Sequence, residues 1–345
     1  MAVVQRLPRF ALKALMSRVL SGIQPSGQLH LGNYCGAIRQ FLDLQAQGHE
    51  MFVFVASYHA LTSTRDPVAL RTNIRQIVVD YLAFGLDPAK TAIYVQHDVP
   101  EVTELAWLLA CVCPTSLMDK AVSYKDKLAK GFTANIGLYT YPILQAADIL
   151  APCAEIVPVG KDQVQHIEIT RDLAGRFNHE FATEVFPLPA HRLAPDAEVL
   201  PGIDGEKMSK SYGNTIDPFM DEKPLRKRIM SIKTDSKQVN EIKDPETCAV
   251  FRIFRAIAGT KNPRTLELAA KYADPSRQGS DGFGYGHAKQ ALYELVLDVF
   301  AEPRARRAGL MADQGYIDQV LAQGAAKARA AARLTVDRAR AAVGL

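Results

Sequence analysis

Two short stretches carry the side chains best suited to chemistry. In "SGIQPSGQLHLGNYCGAIRQF", Ser21–Phe41, His30 and Asn33 flank Gly32 just where a helical pattern begins. A helix start offers free backbone N–H groups and the positive end of the helix dipole, which favour an anion such as phosphate. Gly32 lets a base or ribose approach the backbone, and His30 and Asn33 can donate to phosphate oxygens. A plain helix cap would have the same local sequence, so this turn alone does not decide. In "GEKMSKSYGN", Gly205–Asn214, Lys207 and Lys210 alternate with Ser209 and Ser211 on a glycine-bearing loop. Such a loop can close two ammonium groups and two hydroxyls around a triphosphate. A solvated basic loop is the plainer alternative, and the upstream turn weighs against it.

The elements that must position these groups are legible in the hydrophobic pattern. Strands are predicted at 18–23, 51–55, 92–96 and 156–159. Helices are predicted at 33–47, from the Asp66-Pro67 start to Gly85, at 101–113, from Tyr141-Pro142 through Leu150, and at 162–177. The alternation predicts an α/β fold with a doubly wound, Rossmann-like parallel sheet. Its ligand crevice lies at the carboxyl ends of the strands, where the turns at 24–33, 57–60 and 160–162 fall. Beyond about residue 215, helical patterns at 222–232, 245–258, 265–272, 286–300 and 317–343 predict a C-terminal all-helical domain. The expected division is therefore an extension over 1–17, a catalytic domain over 18–214 and a helical domain over 215–345, with the last helix free to pack back on the sheet.

Composition narrows the class. Hydrophobic content of 48% and charged content of 23% are ordinary for a soluble globular chain. No apolar run reaches the roughly 18 residues of a membrane span. A net charge of +4 permits a polyanionic partner without demanding one. The five cysteines are scattered and odd in number, which favours reduced thiols, and Cys111-x-Cys113 is no metal spacing. No metal site is expected. Residues 1–16 hold Arg6, Arg9 and Lys13 and no acid. A start that properly belongs at Met16, or a disordered tail, is preferred to an organellar targeting peptide.

His30-Leu31-Gly32-Asn33 followed by Lys207-Met208-Ser209-Lys210-Ser211 resembles the paired signatures of the class I aminoacyl-tRNA synthetases. "GIQPSG" (Gly22–Gly27), "YPILQAADIL" (Tyr141–Leu150) and "VPVGKDQVQHIEITRDLAGRFN" (Val157–Asn178) extend the resemblance to the bacterial and organellar tryptophanyl-tRNA synthetase family, over nearly the whole chain from about residue 18. The resemblance implies ATP as substrate, with Mg2+ bound through its phosphates. It implies L-tryptophan and tRNA(Trp) as the other substrates, a homodimer, a cytoplasmic location and no membrane. It assigns catalysis to His30, Asn33, Lys207 and Lys210. ATP would also meet Gln24, Pro25, Ser26 and Gly32 in the first turn, and Gly160, Lys161 and Asp162 in the turn after the fourth strand. Val199, Met208, Ser209 and Ser211 complete that set.

Specificity is expected from Asp148. An indole N–H only donates and a carboxylate only accepts, so a buried Asp148 could bind tryptophan and reject phenylalanine. Tyr141 and Gln163 are candidates for the ammonium end, with His59 and Gln145 in the same pocket. The chain departs from the family pattern at Leu20, where an aromatic often stands, and at Ser57, in place of an acid. Lys161 replaces a glutamate and Gln145 a methionine. The iron–sulfur cysteine cluster of some relatives has no counterpart.

For tRNA, two basic groups stand out: Lys223, Arg226, Lys227, Arg228 and Lys233, and, on the far helix, Lys327, Arg329, Arg333, Arg338 and Arg340. A solvated helix face explains each equally well. The competing functions are a tyrosyl-tRNA synthetase, a small-molecule nucleotidyltransferase with a similar turn, and a catalytically silent RNA-binding paralogue.

Overall fold

The computed structural model describes residues 16–120, 134–193, 199–280 and 282–345. The N-terminal extension up to residue 15 lies outside them. The chain forms two compact units.

The first unit comprises the chain through Ser26, Gln40–Ala194 and Leu310–Leu345. Its centre is a sheet of β1 (Arg18–Ile23), β2 (Glu50–Val55), β3 (Thr91–Val95), β4 (Ile156–Pro158) and β5 (Ala190–Arg192), in the order β3-β2-β1-β4-β5. All pairings are parallel. β2 and β3 are buried on both faces, which is why they read as continuous apolar runs. Burying side chains such as Phe52, Val53 and Ile93 contributes about 1.5–3 kcal/mol each. The chain winds from β1 outward through β2 to β3, then returns to the other side of β1 for β4 and β5. The strand order therefore reverses between β1 and β4, the point where open α/β sheets bind ligands.

The structure differs from the sequence pattern at three places. β5 was not among the predicted strands, because its three residues are exposed or half-buried and carry no apolar signal. The helix expected to start at Tyr141-Pro142 begins a turn and a half earlier. It spans Ile136–Leu150, with the Asn135 side chain accepting the Leu138 N–H at 2.9 Å and Pro142 inside it. A cap outside the helix outweighed the usual preference of proline for a first turn. A helix at Ala301–Ala312 was also missed, since it buries no residue and so shows no apolar stripe.

The last helix, Gln314–Val343, packs on β3 and on the Glu101–Val112 helix. Its buried stripe runs through Ile317, Val320, Gly324, Ala325, Ala328, Ala332, Val336 and Ala339. Small residues let the backbones close. A Cβ at Gly324 would stand 1.9 Å from the Ile93 carbonyl oxygen. Arg329 and Arg333 both reach Glu101, at 3.3 and 3.0 Å, and Arg340 reaches Glu104. Much of that basic group thus ties the helix to its own unit.

The second unit comprises Gly27–Arg39 and Pro195–Gly309. Helices Glu222–Met230, Ala249–Ala258, Pro263–Ala273 and Tyr285–Val299 surround a core that includes Phe251, Phe254, Tyr272, Phe283 and Leu292. The units do not divide at a single cut after residue 214. The His30 turn and the Lys207–Ser211 loop fall in one unit, and the final helix falls in the other.

Candidate active site

The His30 turn is held to its unit by several bonds. Leu31 N–H donates to the Ile216 carbonyl at 2.9 Å, and the Tyr34 and Phe300 rings meet edge-on at 4.8 Å. The helix starts at Leu31 and passes at once into a π-turn, Tyr34–Ile38, a distortion common at functional sites. His30 is its cap. His30 Nδ1 accepts the Gly32 N–H at 3.1 Å, and Asn33 Oδ1 accepts the His30 N–H at 3.2 Å. Capping and ligand binding are therefore not alternatives. One nitrogen of His30 caps, which leaves the proton on Nε2, and the Asn33 amide keeps its NH2 as donor. Burial, then the nearby Lys210 charge, lowers the His30 pKa to about 4. The ring is neutral at physiological pH, with Nε2–H as its donor group. A Cβ at Gly32 would lie 2.9 Å from the His30 ring, so only glycine keeps this arrangement.

The lysine loop lies in the same unit. Lys210 Nζ donates to the Gly27 carbonyl at 2.8 Å. Lys207 and Ser211 are exposed, and Ser209 is half-buried. Met208 is buried, with its N–H on the Leu200 carbonyl at 2.8 Å, so its side chain anchors the loop. The Val199 carbonyl accepts from Arg252 at 3.2 Å. A residue the sequence reading passed over organises the loop. Asn214, 1% exposed, accepts the Ser209 N–H at 2.7 Å through Oδ1. Its Nδ2 donates to Asp204 Oδ1 at 2.8 Å and to the Lys207 carbonyl at 3.0 Å. That bond to Asn214 is the main reason the Asp204 carboxyl sits below the usual range.

In the first unit, Tyr141, Gln145 and Asp148 lie on one face of the Ile136–Leu150 helix, at helical spacing. Asp148 is buried at 3% exposure. His59 Nε2 is 2.8 Å from Asp148 Oδ2, which joins two of the expected pocket residues directly. Burial raises the Asp148 carboxyl above the usual range, opposed by His59 and Gln96, which favour its charged form. Tyr141 Oη bonds His166 Nε2 at 2.9 Å, and Gln145 Nε2 donates to Gln163 Oε1 at 3.3 Å. His59 and Tyr141 also wall a cavity of about 170 Å³ with Leu61, Thr140 and Leu144. Ser57, in the place of the family's acid, bonds His97 Nδ1 at 2.8 Å. Leu20 is buried at 2%.

Gln24, Pro25 and Ser26 follow β1, and Gly160, Lys161 and Asp162 follow β4, so these six occupy the strand-order reversal. Gln96 and His166 were not singled out from sequence. The available signal for Gln96 was its place just past a buried parallel strand. Among the described residues, no cluster of three or more His, Cys, Asp or Glu could hold a metal ion. None of the described helices is long and apolar enough to cross a membrane.

A nucleotide-type α/β sheet with a His-Leu-Gly-Asn helix start and a Lys-Met-Ser-Lys-Ser loop defines a class I aminoacyl-tRNA synthetase. The model of the family "tRNA synthetases class I (W and Y)" matches residues 14–301. The tryptophan–tRNA ligase of Rhodopirellula baltica is 50% identical over 328 residues, covering 95% of this chain and 99% of that protein. The Fusobacterium nucleatum ligase is 46% identical over 332 residues, covering 96% and 98%. The crystal structure of the Campylobacter jejuni tryptophanyl-tRNA synthetase, complexed with ADP and tryptophan, superposes with a TM-score of 0.85 at 44% identity, covering 95% of this chain and all of that one. The chain belongs to the tryptophan–tRNA ligases, the tryptophanyl-tRNA synthetase family of class I.

Proposed function

We propose that the chain performs both steps of tryptophan–tRNA ligation with the residues described above. A tryptophan carboxylate oxygen attacks the α-phosphorus of ATP, the bond to the bridging oxygen of the β-phosphate breaks, and tryptophanyl-adenylate and pyrophosphate form. The aminoacyl group then passes to the terminal adenosine of tRNA(Trp), with AMP leaving. The adenylation needs alignment and neutralisation of charge growing on the pyrophosphate, more than covalent help. Lys207 and Lys210 supply that charge, with Ser209 and Ser211 as donors. His30 Nε2–H and the Asn33 NH2 donate from the fixed turn. ATP enters as its magnesium complex, with the metal held by the phosphates.

Asp148 accepts the indole N–H. Tyr141 and Gln163 take the ammonium end, and Gln145 and His59 complete the wall. Helices between Glu222 and Val299 read the tRNA, with Lys223, Arg226 and Lys227 on its phosphates. A homodimer in the cytoplasm is the proposed assembly. Leu61 and Ile136, 48% and 76% exposed, are apolar surface that a second copy would cover.

The observation that carries this reading is the shared unit of the His30 turn and the lysine loop, joined by Lys210 on the Gly27 carbonyl. Charging of a tRNA(Trp) transcript with labelled tryptophan tests it. Wild type should charge, and Lys207→Ala and Lys210→Ala should each lose about 100-fold or more in adenylation. Adenylate formation without charging of any tRNA would favour a small-molecule nucleotidyltransferase.

A further inference from the structure

We infer that Gln96 is a positioning residue for amino-acid specificity, fixing Asp148 and the His59 turn within one closed hydrogen-bond ring. The inference rests on Asp148 being the indole acceptor. Gln96 is 1% exposed and is the first residue after β3. Its Oε1 accepts the Tyr58 N–H at 2.9 Å and the His59 N–H at 3.4 Å. The Ser57–Ala60 helix follows Ala56, which has no side chain able to cap it, so Gln96 serves as the cap from the turn after β3. That contact fixes the amide orientation, because a flipped amide would set NH2 against N–H. Nε2 must then face Asp148, and it lies 2.9 Å from both carboxylate oxygens. His59 Nε2 on Asp148 Oδ2 closes the ring.

The ring links the β2 turn, the end of β3 and the Ile136–Leu150 helix. A carboxylate gripped by two donors from separate elements cannot rotate, so its remaining lone pairs keep one direction. That direction is what separates a ring with an N–H from one without.

The test uses Gln96→Met, Asp148→Asn and the double variant, with ATP–pyrophosphate exchange and thermal melting. Gln96→Met should raise KM for tryptophan by about tenfold or more, leave KM for ATP unchanged, and narrow the preference over phenylalanine. The acid limb of kcat/KM for tryptophan should move to higher pH, since a donor to the charged carboxylate is lost. His59 and Tyr94 are the titratable groups facing Asp148, and all three variants retain them. In the Asp148→Asn background, Gln96→Met should cost less than it does in wild type, because only its contact with the turn and a weaker bond to a neutral amide remain to be lost.

If Gln96→Met fails to fold, Gln96→Glu decides. A second carboxyl against Asp148 would share a proton with it and create a new alkaline limb as that proton leaves. Unchanged tryptophan KM and acid limb, additivity with Asp148→Asn, or no alkaline limb in Gln96→Glu would overturn the role of Gln96 alone. Intact preference for tryptophan over phenylalanine in Asp148→Asn would instead overturn the underlying assignment of Asp148.

Discussion

His30 Nδ1 accepts the Gly32 N–H at 3.1 Å, which commits the ring's single proton to Nε2. A pH effect on stability follows. The folded pKa is about 4, against an ordinary value of 6.5. As pH falls from about 6.5 to 4, the unfolded chain takes up a proton that the folded chain refuses, so stability falls. The whole effect is at most roughly 3 kcal/mol, of which about 2 kcal/mol is lost by pH 5. Urea unfolding at about pH 7.5 and pH 5 should show wild type losing about 2 kcal/mol more than His30→Gln. Equal losses would mean that His30 titrates normally.

Asn214 holds Ser209, Lys207 and Asp204 by side-chain bonds. Asn214→Ala removes all of these and leaves the loop lysines chemically intact. Exchange should fall by about 10- to 100-fold, through kcat and the KM for ATP, with tryptophan binding by calorimetry unchanged. An unaltered exchange rate would show that the loop does not depend on this pin.

Gly324 separates two opposing effects. Helix propensity alone makes Gly324→Ala stabilising by about 1 kcal/mol. Packing predicts the opposite sign, because the new Cβ would meet backbone atoms of Ile93 at 1.9–2.8 Å. Destabilisation of about 1–3 kcal/mol is expected in urea unfolding. A stabilised variant would contradict the close approach of the last helix to β3.

The contrast between Asp148 and Gln96 marks how far sequence reasoning reached into this site. Asp148 was legible because it stands in a helical frame whose neighbours match a family. Gln96 was not, since its work depends on Tyr58, His59 and Asp148, residues 37 to 52 positions away. Likewise β1 to β3 announced themselves through buried apolar runs, whereas β5 has only register with β4 to define it. Pro142 misled locally, because the signal that starts its helix, Asn135, lies outside the motif. Asn214 sat in plain view beside the lysine loop. Its role became apparent only when the folded backbone brought Ser209 and Lys207 onto one amide.

The assignment to tryptophan meets its most direct test in ATP–pyrophosphate exchange with purified protein and single amino acids. Exchange should depend on tryptophan and be negligible with tyrosine and with phenylalanine, the latter weaker by about 10⁴-fold or more. Exchange supported by tyrosine and not by tryptophan would contradict the account.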